Sequence, residues 1–402
     1  MAVTERNFQG DLETLEWTIP LYDMLSPGYF ELERERIFRR SWLRVGRIDD
    51  LPVADSYFVF DVPTLHTSLL VTRDRDDRVQ AYHNICSHRG NKLVRSGRGT
   101  RPNFTCGFHG WTYNHKGELL VITDENQFHG LDKCELGLTS VTTEVWEGHI
   151  FVNFDPQPIE TLREWLGPMY DQYGGYFETH EKIASYQADV NANWHIAVNA
   201  FTEGYHTIWV HRSTAPDYLG GKGNPMRHRP SVELFEHHHR HSSPANQAHE
   251  LCRAEEIAYA YGRKLHPAFD CDSSTMPPGV NSTRFDAWAF DGIAVFPTDV
   301  WLTGNWWRME LSFWPVAADR TICTMDMYAY RVQNAGELIA RELHLSRGRE
   351  VFREDMNTLE ATQSMLMSGV VKEIHLSWQE IALAHHYRES AKMMQASGPG
   401  GA

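Results

Sequence analysis

The sequence lacks several features that are typical of common classes of protein. The formal net charge is −15, so the chain has no excess of basic residues. Nucleic acid and anionic membranes would repel such a chain. No run approaches the ~18 apolar residues that a membrane-spanning helix needs. The first residues show no basic start followed by an apolar stretch, so we expect no signal peptide and a cytoplasmic protein.

Cysteine is also scarce, with 6 among 402 residues. Cys86 and Cys106 lie in patterns typical of metal ligands, and the other four are scattered, so reduced thiols and a metal centre are favoured over disulfides. Hydrophobic residues make up 42% of the chain and aromatic residues 12%. This composition and length allow two domains, a sizeable core and a large apolar pocket.

The first candidate site is the stretch from Asn199 to His211. Glu203, His206 and His211 supply a carboxylate and two imidazoles, which are the ligands that non-haem iron(II) uses. Asn191–Trp194 offers an N-cap, and on the helix predicted after it Asn199, Glu203 and His206 share one face. His211 lies roughly 140° away, so both rings can reach one ion only if the helix breaks or bulges between them. Alone, the run also fits histidines with a purely structural role.

A second constellation lies upstream, in a region where four strands are predicted, over 42–46, 56–60, 67–72 and 79–82. The segment C-x-x-H begins eighteen residues after the histidine of C-x-H, and glycines at 90, 107 and 110 permit tight loops. Two thiolates and two imidazoles suit either one tetrahedral zinc or a [2Fe–2S] cluster with two cysteines on one iron and two histidines on the other. The order of cysteine before histidine in both segments favours the cluster. The four residues are Cys86, His88, Cys106 and His109.

Together the two motifs resemble the Rieske non-haem iron oxygenases, specifically the large (α) terminal oxygenase subunit of the aromatic-ring-hydroxylating dioxygenase family. The resemblance covers nearly the whole chain and includes His109-Gly-Trp-Thr-Tyr113. It implies a Rieske [2Fe–2S] cluster with Cys86 and Cys106 on one iron and His88 and His109 on the other. It also implies a mononuclear Fe(II) bound by two further histidines, His206 and His211.

The third iron ligand has two candidates, Glu203 and Asp355. Asp355 lies on the apolar stripe of a helix predicted over 351–363, where a carboxylate is costly unless it is paired or binds a cation. Glu354 falls on the opposite side of the same helix. The resemblance also implies an aspartate here, so we assign Asp355 as the ligand.

Glu203 is then assigned a different, catalytic role. Members of the family usually carry aspartate three residues before the first iron histidine, where it bridges electron transfer from the cluster of a neighbouring subunit, and this chain departs from that pattern with glutamate. Orientation of His206 is the alternative role. Asn199, one turn earlier, is expected near the iron as a catalytic residue and not as a ligand.

The predicted fold class is α+β, with an N-terminal arm over 1–40, an all-β Rieske domain over 41–155 and a catalytic domain over 156–402. The aromatic runs 286–290, 292–296, 306–314 and 322–330 alternate as the strands of an antiparallel meander, and the resemblance implies that this sheet grips a long C-terminal helix. Glu236–His241 is predicted to be a strand with alternating exposed and pocket-facing residues. The glycine- and proline-rich loops from 220 to 230 are candidate substrate gates.

The expected function is that of a terminal oxygenase receiving electrons from a ferredoxin or flavin reductase. It would use O2 to hydroxylate, by mono- or dioxygenation, or to demethylate an aromatic or polycyclic substrate. Arg227, Arg229 or the histidine run could instead indicate a carboxylated substrate. The resemblance implies a homotrimer in preference to an α3β3 assembly. A Rieske-type electron carrier and a zinc-stabilised binding protein are the alternatives.

Overall fold

The computed structural model describes residues 7–21, 23–215, 217–262, 265 and 273–395. Contacts divide the chain into two compact units, Arg34–Glu164 and a larger unit made of Met1–Glu33 with Trp165–Ala402. The domain limits predicted from the sequence, 40/41 and 155/156, lie within ten residues of these boundaries. Within the described part of the chain, no helix combines the length and the apolar character needed to cross a membrane.

The strands are β1 (Asn7–Gln9), β2 (Thr18–Pro20), β3 (Leu43–Arg47), β4 (Ser56–Val62), β5 (Thr67–Arg73), β6 (Val79–His83), β7 (Arg98–Thr100), β8 (Phe104–Thr105), β9 (Thr112–Tyr113), β10 (Leu119–Val121), β11 (Ser140–Trp146), β12 (His149–Asn153), β13 (Glu181–Val190), β14 (Ser231–Leu234), β15 (His239–Pro244), β16 (Trp288–Val295), β17 (Asp299–Thr303), β18 (Trp307–Ala317), β19 (Arg320–Ala329) and β20 (Glu373–His375). The α-helices are α1 (Pro27–Glu33), α2 (Leu162–Leu166), α3 (Trp194–Thr202), α4 (Thr207–Val210), α5 (Arg253–Tyr261), α6 (Ala335–Leu366) and α7 (Ile381–Gln395), and Arg34–Phe38 is π-helical.

The smaller unit is all-β, as predicted. Seven strands pair in the order β3-β12-β11-β6-β5-β4-β7, and β10-β9-β8 form a second, three-stranded sheet. The four predicted strands of this region correspond to β3, β4, β5 and β6. One candidate ligand loop follows β6, and the other joins β8 to β9, so both loops are held by paired strands.

The larger unit contains an eight-stranded sheet in the order β1-β14-β15-β16-β17-β18-β19-β13. Every pairing is antiparallel except that of β1 with β14. The sheet curls into a half-barrel, and α6, 32 residues long, packs against β13 and α3. The helix predicted over 351–363 is thus the second half of a much longer helix.

Two predictions for this sheet are wrong. The segments 286–290 and 292–296 form the single strand β16 because the apparent turn at Asp291-Gly292 is buried against β15, where Asp291 accepts from Ser242 Oγ at 2.6 Å. Strand β17 was not predicted. The Glu236–His241 run becomes a strand only at His239, and β15 is buried along its whole length instead of alternating, because it lies in the interior of the sheet.

Close contact between α6 and the sheet depends on Gly348. A Cβ atom at this position would lie 2.8 Å from the terminal methyl carbons of Met309 and Met327, which belong to β18 and β19. The absence of a side chain lets the helix approach the sheet. The carboxylate and guanidinium groups on this part of α6 therefore lie at the wall of an internal cavity.

Candidate active site

The two candidate cluster loops repeat one backbone pattern. The amides of Cys86 and Cys106 each donate to the carbonyl oxygen five residues ahead, at 2.9 and 2.7 Å. The amides of Gly90 and Gly110 donate back to the carbonyls of the two cysteines, at 3.0 Å in both loops. Both glycines have left-handed φ angles, 74° and 78°, which a side chain disfavours. The loops are therefore matched supports for two pairs of ligands.

Both thiols of these loops are buried and are not in disulfides. The Cys86 Sγ lies 3.3 Å from the hydroxyl of Tyr113, and Asn91 Nδ2 donates to Cys106 Sγ at 3.6 Å. Hydrogen bonds to sulfur stabilise thiolates and tune the reduction potential of an iron–sulfur cluster. The surroundings of both sulfurs therefore suit thiolate ligands.

The imidazoles of His88 and His109 lie beside each other, with ring centroids 4.6 Å apart. His88 stacks on Trp111 at 4.7 Å, and its buried Nδ1 has no hydrogen-bond partner among the described residues. Among those residues, one group of at least three acidic, histidine or cysteine side chains has its ligand atoms within 4.8 Å of one another. That group does not include the four residues of these loops. Two buried thiols on matched loops and two adjacent imidazoles fit a two-iron cluster with the cysteines on one iron and the histidines on the other.

That compact group is His206, His211 and Asp355. The two Nε2 atoms are 3.3 Å apart, and Asp355 Oδ1 lies 3.2 Å from His211 Nε2 and 3.6 Å from His206 Nε2. Asp355 and His211 are buried, and His206 is partly exposed. Two imidazoles and one carboxylate converging on one point fit the facial triad that binds non-haem iron(II).

The chain reaches this geometry differently from the prediction. Helix α3 begins at the predicted cap, where Asn193 Oδ1 accepts from the amide of His195 at 2.9 Å, but it ends at Thr202. The prediction of one continuous helix through His206 is wrong, because the break precedes that histidine. The two histidines flank the short helix α4, with His206 at its N-cap and His211 at its C-cap.

Glu203 accounts for the break. Its backbone is extended, and its carboxylate accepts hydrogen bonds from the amides of Tyr205 and His206. A carboxylate that takes up free amides stabilises the start of a new helical segment. The same carboxylate contacts His206 Nδ1. Glu203 therefore shapes the backbone before the first histidine and also holds its ring.

Glu354 also contacts the site, although it was predicted to lie on the opposite side of its helix. Its Oε2 lies 2.8 Å from His211 Nδ1, and its Oε1 accepts from Thr214 Oγ1 at 2.6 Å. The prediction is wrong because His211, beyond the end of α4, lies across the side of α6. Asp355 contacts one nitrogen of the ring while Glu354 contacts the other. Such a partner fixes the tautomer and orientation of a ligating imidazole.

Arg229 provides the charge opposite Glu203. It is buried, and its Nε and Nη1 have no hydrogen-bond partner among the described residues. Burial lowers the pKa of Arg229 to about 9, with the negative charge of Glu203 acting in the opposite direction. Burial also raises the pKa of Glu203, but the hydrogen bond and charge of His206 and the charge of Arg229 outweigh it and lower that pKa overall. Each of the two groups thus favours the charged form of the other.

Asn199, predicted near the iron, lies on α3 and is buried. Its Nδ2 donates to the hydroxyl of Tyr387 on α7 at 2.5 Å. This bond links two helices of the larger unit. A catalytic role for Asn199 stays a prediction.

A cavity of about 160 Å³ opens onto the triad. Its wall is mostly apolar and includes Phe290, Trp307 and Phe352. From the histidine run of β15, His241 is part of the wall. The charged side chains of the wall are Glu203, Asp355, Arg227, Arg229 and Arg347.

Two family models match the chain, one for each unit of the structure. A ring-hydroxylating alpha subunit catalytic domain matches residues 177–396, and a Rieske [2Fe-2S] domain matches residues 41–137. Together with the fold and the site, these matches define the class of protein. The chain belongs to the ring-hydroxylating alpha subunit family and is the large subunit of a Rieske oxygenase. It is an oxidoreductase whose cofactors are a Rieske [2Fe–2S] cluster and a mononuclear iron.

The similarity of this chain to individual relatives differs in identity and in coverage. The chain is 26% identical to the oxygenase subunit of carnitine monooxygenase from Acinetobacter baumannii, over 88% of this chain and 86% of the relative. It is 31% identical to the large oxygenase component of a naphthalene 1,2-dioxygenase system from Pseudomonas aeruginosa, over 46% and 42%. The crystal structure of a quaternary ammonium Rieske monooxygenase has the same fold, with TM-score 0.76, 20% identity and coverage of 96% and 99%.

Proposed function

We propose that this chain is the terminal oxygenase of a system that oxidises a C–H bond of a small quaternary ammonium compound with O2. The observation that carries the proposal is the convergence of His206, His211 and Asp355 at the wall of a mostly apolar cavity. When bound, the iron would supply O2 activation, and the cluster would supply single electrons delivered by a ferredoxin or a reductase.

Each residue of the triad then has a definite role. His206 and His211 would hold the iron through Nε2 and Asp355 would hold it through its carboxylate, and all three side chains line the cavity that would admit O2 and substrate. The carboxylates of Glu203 and Glu354 hold the two imidazoles at their Nδ1 atoms. The cavity wall positions the substrate and excludes water from the reacting carbon.

Glu203 has a second proposed role, as the bridge from the cluster of a neighbouring subunit in a homotrimer. Tyr205 and Trp209, close to it in the chain, are 43% and 70% exposed. On the smaller unit, Phe108, beside the cluster ligand His109, is 55% exposed. Large exposed apolar side chains beside both centres support burial of these surfaces between subunits.

The substrate class rests on likeness and on the rings of the wall. The relative matched over most of both chains oxidises carnitine by its name, and choline monooxygenase from Atriplex hortensis is 28% identical over 48% of this chain. Phe290, Trp307 and Phe352 offer aromatic faces that attract a quaternary ammonium group. The same rings and the partial likeness to naphthalene dioxygenase favour an aromatic substrate as the second candidate.

The test is aerobic turnover with a surrogate reductase and 18O2. The panel contains carnitine, choline, an N-methylated amine and naphthalene, with products identified by mass spectrometry. We expect 18O-dependent oxidation of a quaternary ammonium compound and an iron content above the two atoms of one [2Fe–2S] cluster. Oxidation of naphthalene alone would favour the second candidate. An iron content of two, without turnover, would instead support an electron carrier.

A further inference from the structure

Three arginines, Arg227, Arg229 and Arg347, line the cavity together with two carboxylates, Glu203 and Asp355. A third carboxylate, Glu255, lies behind the wall and pairs with Arg347. A metal ion bound by Asp355 would add further positive charge. In a space of low polarity an excess of positive charge repels a simple cation and attracts an anionic group.

Of the three arginines, Arg347 is the one whose side chain is held most firmly by its neighbours. Its Nη2 lies 2.6 Å from Glu255 Oε1, and Glu255 also accepts from the amide of Cys252 at 2.9 Å. The other oxygen of Glu255 lies 3.1 Å from His249 Nε2. The Arg347 guanidinium also lies over the ring of Tyr218, 5.5 Å from its centroid. A guanidinium has five N–H groups, so one edge can bind Glu255 while another binds a ligand.

The other two arginines are buried, whereas the side chain of Arg347 is 21% exposed. Arg229 faces Glu203, next to the first iron histidine. Arg227 is attracted by the charge of Asp217. Arg347 is held from behind the cavity wall by Glu255, which is not part of that wall. Arg347 therefore has exposed surface at the cavity that a ligand can reach.

The position of Arg347 matches an elongated substrate. It precedes Asp355 by eight residues on α6, which corresponds to ~12 Å along a helix axis. Gly348 and Val351 form the wall between them, and Gly348 has no side chain to obstruct the space. A carboxylate at Arg347 would therefore leave the other end of the same molecule beside the triad.

We propose that Arg347 binds a carboxylate at the end of the substrate remote from the oxidised carbon. The substrate is then an organic carboxylate, zwitterionic if it carries a quaternary ammonium group, and not a simple cation such as choline. This inference rests on the proposed function, because it places the substrate in the cavity that opens onto the triad.

The test is calorimetric binding to the holoenzyme without O2, so that nothing is turned over. The probes are 4-(trimethylammonio)butanoate and 4-phenylbutanoate, each compared with its primary amide, which has the same shape without the charge. We expect at least one acid to bind about tenfold or more tightly than its amide. Arg347→Gln should reduce the affinity for that acid to the level of the amide and leave the amide affinity unchanged.

Two further variants control the comparison. Arg353→Gln removes an arginine of the same helix whose side chain is 71% exposed, and it should bind both probes as the wild type does. Arg347→Lys keeps a positive charge for Glu255 but loses the planar fork, so we expect an intermediate affinity for the acid. The iron content and cluster spectrum of each variant show that it has folded.

The inference is overturned if folded Arg347→Gln binds the acid as tightly as the wild type. It is also overturned if the wild type binds acid and amide equally, or neither. If a wild type that does not distinguish the two still oxidises a quaternary ammonium compound with 18O2, only the role of Arg347 fails. If no quaternary ammonium compound is oxidised but acid and amide are distinguished, the proposed substrate class fails and the binding role of Arg347 remains.

Discussion

The two metal sites differ in how much of the chain is needed to build them. The four candidate ligands of the cluster come from two loops between residues 86 and 109, each with the same backbone bonds. The candidate iron site combines two histidines that flank α4 with an aspartate from α6, a helix far along the chain. A local site is fixed by loop geometry, whereas an assembled site depends on helices packing against each other and on carboxylates that orient the histidines.

The largest effect should come from removing the distant ligand. Asp355→Ala should abolish the binding of the mononuclear iron and reduce turnover by about 10³-fold or more, while the visible spectrum of the cluster stays unchanged. Metal analysis and spectroscopy on the same sample measure both sites. Glu350→Ala, a change on a more exposed part of α6, is the control. Loss of the cluster spectrum in Asp355→Ala would show that the two sites do not form independently.

Glu203→Gln should have the next largest effect on turnover. This variant separates metal binding from electron delivery. The amide can still accept hydrogen bonds from the amides of Tyr205 and His206, so both metals should remain. Turnover should fall by about 100-fold, since the negative charge at His206 Nδ1 is lost. Stopped-flow oxidation of the reduced cluster is the direct measurement. Oxidation at the rate of the wild type would exclude the bridging role.

Glu354→Gln tests whether the assembled site needs the carboxylate behind His211. Because this group orients the imidazole without touching the metal, we expect iron affinity to fall by about 10- to 100-fold and excess iron to restore turnover. Competition with a chelator measures the affinity. Glu360→Gln, farther along α6, is the matched control. Unchanged iron affinity in Glu354→Gln would mean that Asp355 and the fold alone hold the ring.

The smallest effect concerns stability at the far end of the cavity. Burial raises the pKa of Glu255, but the hydrogen bond from Cys252 and the charge of Arg347 outweigh it and lower the pKa to about 2. The unfolded value is about 4.3, so this stabilisation is complete above that pH and is lost as the pH falls towards 2. Glu255→Gln should therefore lower Tm by about 2–4 °C at pH 7.

The pH dependence of that difference is the check. Scanning calorimetry of wild type and variant, from pH 7 down to pH 3, should show the two Tm values converging. Acid weakens metal binding in both proteins, so the difference between them isolates Glu255. A difference that stays constant down to pH 3 would show that the ionised carboxylate is not what stabilises this region.

Much of the cluster site could be predicted because its information is local. Cysteine and histidine spacings, together with the glycines at 90 and 110, indicate two tight loops, and the structure has matched loops there. The strands β3 to β6 were also predictable from alternating apolar residues. The triad was only partly predictable, since periodicity placed Asp355 on a buried face but gave no reason to bring Glu354 to His211.

The wrong predictions have physical causes that the periodicity of a short segment does not reveal. Helical spacing from Asn193 onward continues through His206, yet Glu203 takes up backbone amides with its side chain and ends the regular pattern. In β16, Asp291-Gly292 has the composition of a turn, yet pairing on both sides keeps it extended.

The class of chemistry could be predicted from the sequence, because the types of the ligands and their spacing are visible in short stretches of residues. Burial patterns also indicated Asp355 as the third member of the triad. Only the tertiary structure decided which carboxylates hold the histidine rings and which arginines surround the cavity, since these contacts join residues from separate helices and strands. Arg347 illustrates the difference: on its own helix it is one basic residue among several, and it gains a role only where Glu255 holds it at the cavity wall.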